Sequence, residues 1–304
     1  MSVPVAYVTV ILIWSTTPLA VKWSTQGLGF AFAVAARMSV GLALAAVLVA
    51  AWRVGFPFHR RARLSYLAGG LGIFGAMTLT YWGVQYIHSG LVSVLFGLTP
   101  LVTGLIAMRW LEGESLTLTK LAGILFGLAG LFVIFGDSQD IGGARAVMGI
   151  AALLAAVVIY SASLVWIKHI GDDSPPLATT AGSLAVSLPF FGVIWWLTDG
   201  HLPSHVPVRA GMAVAYLGVF GSVLGFALYY YVIKHMEAGN VALITLVTPV
   251  FALLLGSALN GEDVSAKVWL GAVLIGLGLS VHWLLVPATA SLRRLAARQE
   301  GGEG

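Results

Sequence analysis

Apolar positions along this chain run in long unbroken stretches, without the strict alternation of a half-buried strand. About ten such stretches recur, each of roughly 18 to 25 residues and so long enough to cross about 30 Å of hydrocarbon as a helix. They lie near residues 3–21, 30–51, 64–87, 90–110, 119–136, 146–167, 178–197, 210–233, 239–259 and 268–286. A transmembrane barrel would show short alternating segments instead. The pattern therefore predicts an all-α integral membrane protein. Polar connections are short, and the longest are 52–63, with its His-Arg-Arg-Ala-Arg run, and 198–209.

The apolar pattern also repeats. Residues 89–136 and 238–285 are two versions of one segment: Pro100 aligns with Pro249, and after a one-residue slip Glu114, Gly123 and Gly130 align with Glu262, Gly271 and Gly278. Upstream, Tyr81 falls on Tyr230 and Gly90 on Gly239. A weaker match relates Trp14 to Lys22 (WSTTPLAVK) with Tyr160 to Lys168 (YSASLVWIK). The turn-rich stretch 137–145 divides two halves of five helices. An odd number of spans per half turns the second half upside down, which predicts ten transmembrane helices as two inverted five-helix repeats. The units are residues 1–140, 141–286 and a cytoplasmic tail at 287–304.

Composition agrees. A chain with 59% hydrophobic and 9% charged residues and a mean hydropathy of +0.95 cannot cover a soluble surface. The first basic residue is Lys22, so the start lacks a secretory basic region and is expected to stay as the first span. The sequence pI of 9.4 reflects loop residues and gives no reason to invoke nucleic acid. With ten spans, Arg53, Arg60, Arg61, Arg63, Arg109, Lys120, Lys168, Lys234, Arg293, Arg294 and Arg298 share one side. Only Lys22, Arg145, Arg209 and Lys267 face the other, with Arg37 inside the second span. The positive-inside rule then puts both termini in the cytoplasm of a bacterial-type inner (plasma) membrane.

Enzyme chemistry finds no foothold. There is no cysteine, no HExxH, no GxSxG and no Walker lysine, so no catalytic residue, metal or cofactor is expected. His201 and His205 flank Leu202-Pro203 in a loop, a poor metal site. Every carboxylate lies at a span end, in a loop or in the tail. Proton- or sodium-coupled carriers commonly keep one at mid-membrane, so a facilitator is the simplest expectation, with His282 as the first alternative coupling group.

Mid-span polar and ring residues should face a cavity or another helix. Trp14, Thr16, Thr17, Thr78, Tyr81, Phe96 and Thr99 in the first half, and Tyr160, Ser163, Trp166, Phe226, Tyr230, Thr245 and Thr248 in the second, are expected to line a substrate cavity of hydroxyls and rings without fixed charge. Tyr81 and Tyr230 are candidate gates for opposite mouths. Pro100 and Pro249 are candidate hinges giving a symmetric mid-depth kink. Lys22, Arg37 and Lys168 are expected to snorkel to the headgroups. Trp82, Trp110, Trp195 and Trp196 suit the interfacial belt or packing. The GxxxG pairs Gly123/Gly127 and Gly221/Gly225 suit helix packing.

The doubled pattern of mid-span proline, Gly-Glu loop and glycine-punctuated helix resembles the EamA repeat of the drug/metabolite transporter superfamily. It is carried here by Pro100, Gly113, Glu114, Gly123 and Gly130, then Pro249, Gly261, Glu262, Gly271 and Gly278. Within that superfamily the chain is most similar to the YddG-type exporters. The resemblance implies export of amino acids, aromatic ones first, and related small metabolites by alternating access, with the lipid bilayer as surroundings and no obligate protein partner. An exporter of amphipathic drugs or other metabolites, and a non-transporting sensor or assembly module, are the alternatives.

Overall fold

In a computed structural model, residues 2–111, 143–198, 200–236 and 244–274 are described, with 122, 125–127, 129–130, 132–133, 241 and 276–278. All regular structure among them is helical. The helices are α1 (Val3–Thr25), α2 (Phe30–Ala51), α3 (Arg60–Gly83), α4 (Ser89–Phe96), α5 (Thr99–Trp110), α6 (Ala144–Ile170), α7 (Pro176–Thr198), α8 (Val208–Tyr216), α9 (Gly225–His235) and α10 (Ile244–Asn260). A π-helical segment, Leu217–Leu224, joins α8 to α9. Seven of the described helices are long and apolar enough to cross a membrane, counting α4–α5 and α8–α9 as one each. Of the spans expected at 119–136 and 268–286, the first lies mostly and the second in part outside the described residues.

Local chemistry sets several boundaries. The His59 ring caps α3 by accepting from the Ala62 N–H at 3.2 Å, occupying one of the four orphan donors at a helix start. α6 ends on Gly171 at φ +56, a left-handed turn open to glycine at no steric cost.

Packing alternates between halves. α3 lies against α6 and α7, while α1 lies against α8, α9 and α10. Glycines make the first contact possible: a Cβ on Gly70 would come 2.6 Å from the Val186 side chain, and one on Gly83 2.9 Å from the Gly149 carbonyl. Backbones approach this closely only without side chains between them. Meanwhile Val5, Leu12, Val47, Val193, Leu197 and Leu254 point outward. An apolar exterior of this extent suits lipid rather than water. Trp196 and Trp110 are exposed as well, as a belt position requires.

One side of the bundle gathers the C-terminal ends of α1, α3 and α10 with the start of α4. Lys22 Nζ sits 3.2 Å from Glu262 Oε1 and donates to the Ile87 carbonyl at 3.2 Å. Glu262 also accepts from the Ser89 N–H and hydroxyl and from Asn260 Nδ2 at 2.9 Å. Trp23 Nε1 donates to Asn260, and Arg209 covers the Trp23 ring at 4.0 Å. The opposite side gathers the ends of α6 and α9 with the start of α7. There Lys168 Nζ donates to the Met236 carbonyl at 3.1 Å, and Lys234 Nζ to the Ser174 carbonyl.

Pro100 stands in the first turn of α5, after a break at Gly97–Leu98, where its missing N–H is not required. Pro249 lies inside α10, as Pro18 does in α1 and Pro189 in α7. The two repeat-related prolines therefore sit in different local geometry.

Candidate functional site

Between the halves lies a cavity of about 90 Å³, several times the roughly 15 Å³ that one water needs. Trp14, Thr17, Phe96, Tyr160, Phe226 and Thr248 line it, as the mid-span reading expected. The rings form one cluster. Trp14 is 4.9 Å from Tyr229 and 6.2 Å, edge-on, from Tyr160, and Phe96 meets Tyr160 edge-on at 6.2 Å. Such rings offer flat apolar area at little rotamer cost. Met77 and Thr80 from α3, and Ser93 from α4, complete the wall.

Other expected lining residues bond elsewhere. Thr16 pairs with the Tyr216 hydroxyl at 2.6 Å, and Ser163 donates to the Ala68 carbonyl at 2.9 Å. The Thr99 carbonyl accepts from Ser161 at 3.4 Å. Thr78, Thr99 and Trp166 do not line this cavity, and the Thr245 side chain lies outside the described residues. Tyr81 is 0% exposed, with its hydroxyl beside Arg37. Tyr230 lines a second pocket with Ser65, Lys168, Asp172 and Lys234 near the end of α6.

Two expectations about cations are corrected. Lys22 does not snorkel to headgroups, because its ammonium is held by Glu262 and the Ile87 carbonyl. Arg37 does not snorkel either: it is 2% exposed and lines the central cavity. Its Nε donates to Ser222 Oγ at 3.0 Å and its Nη1 to the Tyr81 hydroxyl at 3.4 Å. The cavity therefore carries a fixed positive charge, since a guanidinium stays protonated. Sequence position put Arg37 inside the second span but not at the cavity. Its partner Ser222 stands 185 positions away.

Gly221 is a further missed residue. A Cβ there would lie 2.9 Å from Arg37 Nη2, so its bare backbone leaves room for the guanidinium. The GxxxG spacing with Gly225 signals close packing but not which side chain fills the space. Both glycines follow from the path of the π-helical segment, a form often found at functional sites.

The EamA-like transporter family model matches residues 2–136 and 147–284. Among similar proteins, the uncharacterized transporter YyaM of Bacillus subtilis is 25% identical over 228 residues, 72% of this chain and 73% of that protein. Protein PagO of Salmonella typhimurium is 24% identical over 297 residues, 96% and 97% of the two chains. The uncharacterized inner membrane transporter YedA of Escherichia coli is 27% identical over 190 residues, covering 61% and 59%. A solved crystal structure of a protein has the same fold at TM-score 0.66 and 26% identity, covering 95% of this chain and 98% of that one. With the family match on both halves of a multi-pass helical chain, this protein belongs to the EamA-like transporter family.

Proposed function

We propose that this chain is an inner-membrane exporter, of the YddG-type, that moves amino acids, aromatic ones first, and related small metabolites by alternating access. The observation that carries this reading is the central cavity. Its walls come from both halves, Trp14 and Phe96 from one and Tyr160 and Phe226 from the other, and it offers the stacking surface an aromatic solute needs.

Ten helices in two inverted five-helix repeats, with both termini cytoplasmic, complete the proposed architecture. Repeat-related hydrogen bonds support it. The spacing that pairs Tyr81 with Tyr230 also pairs Ile87 with Met236, and these are the carbonyls that accept from Lys22 and Lys168, themselves a related pair. In an inverted repeat these bonds close opposite faces. The Lys22–Glu262 cluster is then the outer latch. Glu114, the sequence counterpart of Glu262, lies outside the described residues. Tyr81 and Tyr230 act on the outer and inner passages, and Pro100 and Pro249 sit where the helices flex. No carboxylate lines the cavity among the described residues, which favours facilitated over proton-coupled movement and disfavours amphipathic cations.

The test is flux in proteoliposomes. Labelled phenylalanine and tryptophan should equilibrate saturably and show counterflow, with no accumulation driven by an imposed pH gradient. Folded protein that moves neither amino acid would defeat the substrate assignment. Gradient-driven accumulation would defeat the facilitator.

A further inference from the structure

We propose that Arg37 is the anion-binding group of the central cavity, and that the solute presents a single carboxylate to it with its apolar body among Trp14, Phe96 and Tyr160. This rests on the transport reading above and re-ranks its solutes, placing related monoanionic metabolites ahead of zwitterionic amino acids.

The argument starts with an unbalanced charge. Arg37 is buried at 2% exposure, yet no carboxylate lies within ion-pair distance of it among the described residues, whose pairs are Lys22–Glu262 and His59–Asp172. A charge in such a place is costly unless something compensates it. Compensation from the protein is partial. A guanidinium has five N–H donors, and those of Arg37 reach Ser222 Oγ at 3.0 Å, the Tyr81 hydroxyl at 3.4 Å and, weakly, Met77 Sδ at 4.0 Å. Its Nη2 finds no hydrogen-bond acceptor among the described residues. The group borders the cavity together with Gly221, where a Cβ would stand 2.9 Å from Nη2.

The repeat shows that packing alone does not require the cation. The spacing that relates Trp14 to Tyr160 and Lys22 to Lys168 relates Arg37 to Ser183. Tyr230, the counterpart of Tyr81, donates to Ser183 Oγ at 3.4 Å. The same joint is thus built twice, once around arginine and once around a neutral serine.

Chemistry then selects the ligand. One planar guanidinium matches one carboxylate in a bidentate pair. A phosphate dianion calls for further cations, and Lys22, the one lysine of the first half among the described residues, is engaged by Glu262. Among the described residues an ammonium group meets no acid in the cavity wall, only ring faces. The preferred solute is therefore a monoanion with an aromatic or apolar body, and a zwitterionic amino acid is a weaker ligand of the same site.

Equilibrium binding to the purified full chain in lipid nanodiscs tests this with four probes sharing one phenyl body: 3-phenylpropionate, phenylalanine, 3-phenylpropanamide and phenethylamine. The expected order is propionate tightest, by about tenfold or more over the amide, then phenylalanine, with phenethylamine weakest. Arg37→Gln should erase the preference of propionate over amide, and Arg37→Lys should keep part of it. Equal binding of propionate and amide to the unaltered chain overturns the proposal. So does a carboxylate preference that survives Arg37→Gln, or binding of none of the four. Should Arg37→Gln not fold, the unaltered chain and Arg37→Lys decide by the same comparison. Binding is read without flux, so the two readings fail separately. Carboxylate-selective binding without transport would sink only the transport reading, and transport of acid and amide with equal affinity would sink only the role of Arg37.

Discussion

Trp14 stands where three helices meet, its ring against Tyr160 of α6 and Tyr229 of α9 while it borders the cavity. It therefore contributes both to packing and to the surface a solute touches. Ring pairs of this kind add about 0.5–1.5 kcal/mol beyond area burial. Trp14→Ala should raise the KM for aromatic solutes about tenfold with a smaller change in maximal rate, the signature of lost ground-state binding. Trp14→Phe should restore most of it. Proteoliposome uptake at graded concentrations checks this, and a fall in maximal rate with KM unchanged would remove Trp14 from the binding surface. Rings and hydroxyls such as Trp14, Thr17 and Thr248 were legible in the sequence because mid-span polarity is rare against lipid. Arg37 was legible only as a cation inside the second span. Its role depends on Ser222 and Tyr81, which no local spacing connects to it.

At the scale of elements, the Lys22–Glu262 cluster, proposed above as the outer latch, joins four segments that are distant in sequence. Lys22 closes α1, Glu262 follows α10, Ser89 opens α4 and Ile87 ends the turn after α3. Burial alone raises the Glu262 carboxyl, but the Lys22 ammonium and the Ser89 and Asn260 hydrogen bonds outweigh it and hold the group below its ordinary value. A depressed carboxyl stabilises the latch above the unfolded value of about 4.3 and loses that contribution only as pH falls through the lower folded value. The latch should hold from pH 7 to 5 and loosen only once pH has fallen below the ordinary carboxyl value of about 4.3. Ser93 lines the cavity behind it, and the chain has no cysteine of its own. Ser93→Cys should thus be slow to react with an impermeant thiol reagent from outside at pH 7. Lys22→Gln should speed the reaction about tenfold or more, since an unpaired buried carboxylate costs about 3 kcal/mol. The pH arm is read as the rate relative to a cysteine on an exposed loop, since the thiolate fraction of both falls alike on acidification. Acceleration already between pH 7 and 6 would show that Glu262 does not control this face.

Across the whole molecule, the sequence revealed the class of fold better than its assembly. Apolar run length located the long helices, as for Val3–Thr25 and Phe30–Ala51, because lipid forces every spanning segment to satisfy its own backbone. The way α3 wedges between α6 and α7 was hidden, since it depends on which glycines face each other, such as Gly83 and Gly149. Pro100 and Pro249 look equivalent in the repeat, yet one opens a helix and the other lies within one.

We propose alternating access, in which the two halves rock about the cavity so that it opens to one side at a time. Its most direct measurement locks the outer face covalently. A chain carrying Lys22→Cys and Glu262→Cys, joined by a short reducible bis-thiol crosslinker in proteoliposomes, should lose flux of the aromatic solute and regain it on reduction. Undiminished flux through fully crosslinked protein would contradict alternating access by this route.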